Sequence, residues 1–133
     1  MAHLSIEYSA NLETEVDMSA FCEVARKSMV DLGVFPLAGI RVRSFRANHS
    51  AIGDGSPDLA FADMVLRMGP GRDEETRRNV VETIYVALEN WLKPQISTPF
   101  ALSLEVLELN YPFAEKRMNS IRAALIERGN ENV

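Results

Sequence analysis

The chain has 133 residues, of which 47% are hydrophobic and 25% are charged, values typical of a globular domain and not of a disordered or fibrous protein. With 14 Lys and Arg against 19 Asp and Glu, the net charge is -5, which argues against a nucleic-acid partner because such proteins need a basic face. Cys22 is the only cysteine and no apolar run approaches the roughly 20 residues of a membrane span, so a cytoplasmic protein with no membrane partner is expected. The acidic Glu7 and the lack of a preceding basic segment also argue against a signal peptide.

The first elements along the chain are a predicted strand, a helix and a second strand. Residues 3–9 alternate between apolar and polar side chains, which is the period of a half-buried strand. A helical stripe follows, and Gly33 and Pro36 end it. The segment "LAGIRVRSFRA" is then predicted to be a strand. The apolar stripe of the helix consists of Phe21, Val24, Ala25, Ser28 and Leu32.

The same order of elements is repeated after the turn-rich connection "NHSAIGDGSPD". "AFADMVLRM" is predicted to be a strand, Asp73 to cap a second helix, Pro94 to end it, and "ALSLEVLELN" to be the fourth strand. A last helix is expected from about Glu115 to Arg128. The stripe of the second helix consists of Val80, Val81, Ile84, Leu88 and Trp91.

These elements predict a single α/β domain over residues 1–133. Its internal repeat covers about 1–48 and 59–112, and a C-terminal helix covers about 113–129. Each strand-helix-strand unit predicts a right-handed parallel pairing, so two units give a four-stranded sheet with two helices on one face. The other face has no cover in the chain, and "ALSLEVLEL" suggests an apolar surface there. An exposed apolar face predicts association, most simply as a closed ring.

Three stretches carry a resemblance to a known family. "FPLAGIRVR", the later "GPGR" and the opening "HLSIEYS" resemble 5-carboxymethyl-2-hydroxymuconate isomerase, of the tautomerase superfamily. The resemblance extends from His3 to about Leu109 and more weakly into the last helix. It implies a homotrimer of tandem β-α-β subunits that catalyses, without a cofactor, a proton shift in a dienol acid of aromatic compound catabolism. It also implies that an N-terminal proline is the catalytic base.

Position 2 departs from the family pattern, because it is Ala2. If Met1 is removed, the α-amine of Ala2 is free, and model α-amines titrate at about 7.7 to 8.0. An apolar pocket beside arginines would lower that pKa and yield a base suited to proton abstraction near neutral pH, or a nucleophile for carbonyl compounds. The alternative is that Ala2 simply begins a strand, or that the alanine stands in place of a native proline.

A carboxylate substrate requires cations, and three arginines are candidates. Arg41 and Arg43 project from one face of a strand, and Arg72 precedes a helix N-terminus, where anions are favoured. Guanidinium groups can bind carboxylates in a bidentate manner and stabilise an enolate. Arg41, in the family motif, is the strongest candidate and is predicted to be catalytic, whereas Arg72 and Arg43 are predicted to bind substrate. The alternatives are a solvated arginine at position 72 and a cross-strand or intersubunit ion pair at position 43.

Aromatic side chains complete the predicted site. Phe35 and Phe45 are candidates for lining a substrate pocket, although packing in the core is the alternative for both. His3 lies next to the candidate amine but alternates outward on its strand. No spacing of His, Cys, Asp and Glu matches a metal site.

The leading hypothesis is therefore an isomerase resembling the family, in which the amine moves a proton of a dienol polycarboxylate while Arg41 and Arg72 hold carboxylates. One alternative is a carboxylate-binding or lapsed member of the same fold, in which Ala2 marks a lost base. Another is a scaffold protein that uses the trimer alone.

Overall fold

The computed structural model describes residues 1–110 and 112–133. The strands and helices in chain order are β1 Ala2–Ser9, α1 Met18–Asp31, β2 Ile40–Ala47, β3 Ala60–Met68, α2 Glu74–Leu92, β4 Phe100–Glu108 and α3 Ile121–Glu127. One 3₁₀ turn, Ala10–Thr14, follows β1, and another, Leu37–Gly39, precedes β2.

The four strands form one mixed sheet in the order β2-β1-β3-β4. β1 pairs with β2 in parallel, β3 pairs with β4 in parallel, and the two central strands β1 and β3 are antiparallel. Ala2 is opposite Ile40 in the first unit, and Ala60 is opposite Phe100 in the second. The predicted α/β class and tandem architecture are thus confirmed. The predicted second unit, 59–112, includes Tyr111, which lies outside the described residues.

Aspartates begin both long helices. The Asp17 carboxylate accepts hydrogen bonds from the backbone N–H groups of Ser19 and Ala20 at 3.0 and 3.1 Å, which satisfies two otherwise unpaired donors of α1. The Asp73 carboxylate accepts one such bond, from Thr76 N–H at 2.8 Å, at the start of α2. Gly33 ends the first helical segment with a φ of 71°, a conformation that glycine adopts without strain.

Both long helices cover the same face of the sheet, where the apolar positions of the strands meet the helical stripes. Phe21 of α1 and Trp91 of α2 stack at 5.8 Å between ring centroids with an interplanar angle of 3°. This layer removes its large side chains from water, which is the main stabilising contribution to such a domain. Its fully buried members include Leu4, Ile6, Phe21, Met29, Met64, Leu66, Ile84 and Leu88.

The opposite face of the sheet is more polar than expected. In β4 the side chains of Leu102, Leu104 and Val106 pack against the helix layer, so the alternating residues between them face outward. The expectation of an apolar surface was wrong, because the strand alternates instead of being apolar on both sides. Polar or charged members of the open face are His3, Ser5, Glu7, Arg41, Arg43, Asp63, Arg67, Ser103 and Glu105, and its apolar members include Phe45, Phe61, Val65 and Leu107.

The C-terminal helix is shorter than expected. Within the predicted range of 113–129, α3 is formed only at Ile121–Glu127, and residues 112–120 are not helical. Phe113 and Met118 are 84% and 98% exposed, so the preceding segment has no apolar surface to pack on that would support a helix. α3 contacts the 3₁₀ turn at Leu37–Gly39, and the Asn132 carbonyl accepts a hydrogen bond from Leu37 N–H at 2.8 Å. Among the described residues, no helix combines the length and apolarity of a membrane span.

Candidate active site

One end of the sheet brings together four distant parts of the chain. β1 and β2 are parallel and begin at this end, whereas β3 and β4 end there because β3 is antiparallel to β1. The N-terminus, the turn before β2, the "GPGR" segment after β3 and the residues after β4 therefore meet. Gly69 N–H donates to the Met1 carbonyl at 3.2 Å, and Leu109 N–H donates to the Met68 carbonyl at 2.8 Å.

The backbone of Met1 lies directly against Gly39. A side-chain Cβ at Gly39 would be 3.1 Å from the Met1 Cα and 3.2 Å from the Met1 nitrogen, closer than most real contacts. Glycine in the "FPLAGIR" motif thus leaves room for the N-terminus to approach. Ala2 itself is fully buried, and it pairs with Ile40 on one side and Met68 on the other.

The α-amine of Met1 is in an environment that disfavours its charged form. Burial lowers its pKa below the usual value of 8.0, and the positive charges of Lys116, Arg72 and Arg41 lower it further, in that order. A larger fraction of the amine is therefore neutral near pH 7 than in an exposed terminus, and a neutral amine can accept a proton.

Arg41 is held by a neighbouring histidine. Its Nη1 lies 2.7 Å from Nε2 of His3, which is opposite Arg41 in the strand register. Arginine can only donate, so Nε2 accepts and the neutral ring carries its proton on Nδ1. Burial, followed by the charges of Arg41, Arg43 and Arg67, lowers the pKa of His3 to about 4. His3 is thus neutral near pH 7 and orients the Arg41 guanidinium.

Arg72 is held by two backbone carbonyls and one aromatic ring. Its Nη1 donates to the Gly69 carbonyl at 3.2 Å, and its Nη2 donates to the Val34 carbonyl at 2.9 Å. The guanidinium carbon lies 5.0 Å from the centroid of the Phe35 ring, a cation–π contact. Of the five N–H donors of an arginine, two are used in these bonds, so the group is fixed in place and retains donors for an anion.

A pocket of about 370 Å³ lies beside the amine and Arg72. Among the described residues, those that line it include no acid. Its ionisable groups are the Met1 amine, Arg72 and Lys116, and each is positive when protonated. It is lined by Met1, Pro36, Gly69, Pro70, Arg72, Leu109 and Lys116.

The structure places the remaining predicted site residues at different distances from the amine. Phe35 is only 1% exposed, so its ring contacts Arg72 and does not line an open pocket. Arg43 is opposite Ser5, on the same face as Arg41 and two residues farther along β2. Phe45 is opposite Glu7, five positions from Ala2, a separation of roughly 16 Å along the strand. Of the predicted cations, Arg41 and Arg72 are the two whose charges lower the pKa of the Met1 amine.

Lys116 is the part of the site that sequence reasoning missed. It lies in the segment that was expected to be helical, and its charge makes the largest electrostatic contribution to the lowered pKa of the amine. Its position depends on how residues 112–120 cross the end of the sheet, and no local motif marks it. The sequence gives only an indirect sign that Met1 lies against Gly39, namely that this glycine belongs to the recognised motif.

A larger hollow, of about 840 Å³, lies between α2 and β4 and contains none of the predicted site residues. Both of its arginines are paired with carboxylates, Arg78 with Glu74 at 2.6 Å and Arg77 with Glu108 at 3.4 Å, and Glu82 adds a further negative charge. It therefore lacks the excess positive charge of the pocket at the amine. In the part of the chain that the structure describes, no group of three or more His, Cys, Asp or Glu side chains could hold a metal ion.

Comparison with known proteins identifies the family and the fold. The family model of 5-carboxymethyl-2-hydroxymuconate isomerase matches residues 2–125. The 5-carboxymethyl-2-hydroxymuconate Delta-isomerase of Escherichia coli is 31% identical over 124 residues, covering 92% of this chain and 98% of that protein. The chain belongs to the 5-carboxymethyl-2-hydroxymuconate isomerase family. It is accordingly an isomerase, and the resemblance of "FPLAGIRVR" and "GPGR" is confirmed.

Solved structures agree with this family. A crystal structure of a 5-carboxymethyl-2-hydroxymuconate delta-isomerase matches with a TM-score of 0.87 at 33% identity, covering 94% of this chain and 93% of that one. The 5-carboxymethyl-2-hydroxymuconate isomerase of Deinococcus radiodurans R1 matches with a TM-score of 0.84 at 26% identity, covering 92% of each chain. A fused 4-OT protein solved as a symmetric trimer, 17% identical with a TM-score of 0.59 over 90% of this chain and 98% of that one, shares the fold alone.

Proposed function

We propose that this isomerase acts on 5-carboxymethyl-2-hydroxymuconate or a closely similar dienol polycarboxylate, as the names of its relatives indicate. The carrying observation is the convergence of the chain terminus, where the Met1 amine has a lowered pKa and Ala2 begins β1, with Arg41 and Arg72 at the end of the sheet. Such a substrate is anionic and carries an acidic enol, so it requires a base and cations and no redox chemistry. Muconates arise by ring cleavage of aromatic diols, which places the enzyme in the breakdown of aromatic compounds.

The amine acts as the proton carrier. In its neutral form it takes the proton from the 2-hydroxyl side of the dienol and returns it to a distant carbon, giving the conjugated ketone with no net change in atoms or electrons. Arg41 and Arg72 bind carboxylates and stabilise the dienolate formed between the two proton transfers. His3 maintains the orientation of Arg41, and the Phe35 ring maintains that of Arg72.

The mature base is the amine of Ala2, exposed by removal of Met1. The Met1 carbonyl now accepts the hydrogen bond of Gly69 N–H, so its removal would free that donor beside the new amine. A substrate oxygen could then accept the bond, as oxyanions do from backbone N–H groups. A primary amine is a weaker and less rigidly placed base than proline, so the rate should be measurable but submaximal.

The proposed activity is tested by following the loss of dienol absorbance of 5-carboxymethyl-2-hydroxymuconate with protein whose first residue has been established by mass. Ketonisation above the uncatalysed rate is expected, and Ala2→Pro in a sample free of Met1 should increase it. A non-catalytic, carboxylate-binding protein would instead bind the compound without converting it, and Ala2→Pro would give no increase. That result would overturn the proposal.

We also propose a homotrimer. The support is the shared fold of the fused 4-OT symmetric trimer, the open sheet face, and the exposed Phe113 and Met118 on the C-terminal segment, which a neighbouring subunit would cover. Light scattering should give about three times the chain mass of 14.9 kDa. A monomeric mass at micromolar concentration would contradict this assembly. The single free Cys22 is consistent with the cytoplasm, where we place the enzyme.

A further inference from the structure

Lys116 contributes a cation to the pocket from a part of the chain remote from the other site residues. It lies in the non-helical segment between β4 and α3 and lines the same 370 Å³ pocket as Met1 and Arg72. Arg72 reaches that pocket from the segment after β3. Two side chains of like charge thus meet at one small pocket, which is unfavourable unless an anion is bound there.

Nearby carboxylates do not neutralise Lys116. The adjacent Glu115 pairs with Arg117, with 2.9 Å between Nε and Oε2, and its other oxygen accepts the backbone N–H of Lys116 at 2.9 Å. In residues 1–110 and 112–133, no carboxylate lies within ion-pair distance of the Lys116 ammonium. Pocket-lining residues include no acid either. In a protein of net charge -5, this local excess of positive charge indicates a site for an anion.

The number of cations can be compared with the number of carboxylates in the proposed substrate. A 2-hydroxymuconate carries two carboxylates, one at each end, and the 5-carboxymethyl substituent adds a third. Arg41 and Arg72 account for two of the three. Arg43 is two residues farther along β2 than Arg41 and, unlike Arg41, is not among the cations whose charges lower the pKa of the Met1 amine. Lys116 acts on that amine and lines the pocket, so it is the cation available for the third carboxylate.

We propose that Lys116 binds the third carboxylate of the substrate and thereby selects tricarboxylates over dicarboxylates. This inference rests on the proposed function for the identity of the substrate, but the binding preference can be measured without catalysis. Lys116 is a binding and specificity residue in this proposal, and its charge also contributes to the lowered pKa of the Met1 amine.

The test compares Lys116→Met, which removes the ammonium group but keeps a side chain of similar length, with Lys116→Arg, which preserves the positive charge. Arg117→Met is the matched control, because Arg117 is the next cation in the sequence and pairs with Glu115 outside the pocket. All four proteins should have the same processed N-terminus, confirmed by mass. Lys116 is exposed, so the variants are expected to fold.

For Lys116→Met, KM for 5-carboxymethyl-2-hydroxymuconate should rise about tenfold while KM for 2-hydroxymuconate changes by less than about twofold. Lys116→Arg should restore most of the difference, and Arg117→Met should cause none. Loss of a positive charge also raises the pKa of the amine, so the acidic limb of the pH–rate profile should move to higher pH with both substrates. Equal changes in KM for the two substrates, or no change, would overturn the inference.

Binding of non-reacting acids separates this inference from the proposed function. Propane-1,2,3-tricarboxylate and glutarate share a five-carbon diacid chain and differ by one carboxylate. Titration calorimetry should give the wild type a preference for the tricarboxylate that Lys116→Met abolishes. If the wild type shows this preference but converts neither muconate, the proposed function fails and the binding role stands. If it converts both and Lys116→Met retains the preference, only the binding role fails.

Discussion

The two β-α-β units have the same architecture, but the candidate site lies at one end of their sheet. Ala2 pairs with Ile40 in the first unit as Ala60 pairs with Phe100 in the second. The first residue of β1 follows the chain terminus, whereas the first residue of β3 follows an ordinary peptide, Leu59. A near-symmetric fold thus offers two equivalent ends, and the single chain terminus makes them chemically different.

The charged side chains also differ between the two ends of the sheet. At the site, His3 and Arg41 occupy the positions after the first strand pair, whereas the second unit has Phe61 and Ala101 there. At the opposite end, charged groups are paired or hydrogen-bonded: the Glu15 carboxylate accepts hydrogen bonds from the backbone N–H and hydroxyl of Ser97, and Glu13 lies 3.9 Å from Arg46. The fold by itself therefore does not distinguish the two ends, whereas the terminus and the cations around it mark one end as the candidate site.

The largest effect should come from the terminus. A protein that retains Met1 keeps the Met1 carbonyl on Gly69 N–H and presents no amine at Ala2, so kcat/KM should be about 10²- to 10⁴-fold below that of processed protein. The measurement is ketonisation by two preparations whose masses differ by one methionine. Equal rates would show that the amine of Ala2 is not the base.

Arg41→Ala should follow, with a loss of about 10²- to 10³-fold in kcat/KM, the usual cost of removing a group that stabilises an enolate. Arg46→Ala is the matched control, since this exposed arginine of the same strand makes only a 3.9 Å pairing with Glu13. Adding the cation to the second unit, as Ala101→Arg, should not restore activity to Arg41→Ala. Restoration would contradict the assignment of the site to one end.

A smaller difference is expected between the two helix starts. Asp17 accepts two backbone hydrogen bonds and Asp73 accepts one, so Asp17→Ala should lower the melting temperature by about 2–8 °C and Asp73→Ala by less. Circular dichroism would measure both. Asp17→Ser, which can still cap the helix, should retain most of the stability. A larger loss for Asp73→Ala would show that the second unit depends more strongly on its cap.

The last difference is a pH dependence of stability that originates in the first unit. The pKa of His3 is about 4 in the folded state and about 6.5 when exposed, so the unfolded protein binds more protons between these values. Stability therefore decreases as the pH falls from about 6.5 to about 4. Denaturant unfolding across this range should show a shallower decrease for His3→Gln, whereas His49→Gln, in the exposed loop at the other end, should resemble the wild type. If the stability of His3→Gln depended on pH as steeply as that of the wild type, the folded-state pKa of about 4 for His3 would be refuted.

Much of the architecture could be predicted because it is encoded in local periodicity. The alternation of residues 60–68 predicts β3 with its observed bounds, and the acidic residue at position 73 marks the start of α2. The C-terminal helix was overestimated because its pattern was apolar but had no surface to cover, as the 98% exposure of Met118 shows. The open face was misjudged for a related reason, since the side on which each residue of β4 lies depends on its register with β3.

Periodicity and a family motif are local properties, so the chain alone predicts the tandem units, the candidate amine at the start of β1, and Arg41 and Arg72 as candidate cations. Strand order and register are not local, and they bring these two arginines close to the terminus while Phe45 lies roughly 16 Å away. The folded arrangement also brings Lys116 to the pocket. That contact joins residues more than a hundred positions apart, and no local pattern encodes such a distance.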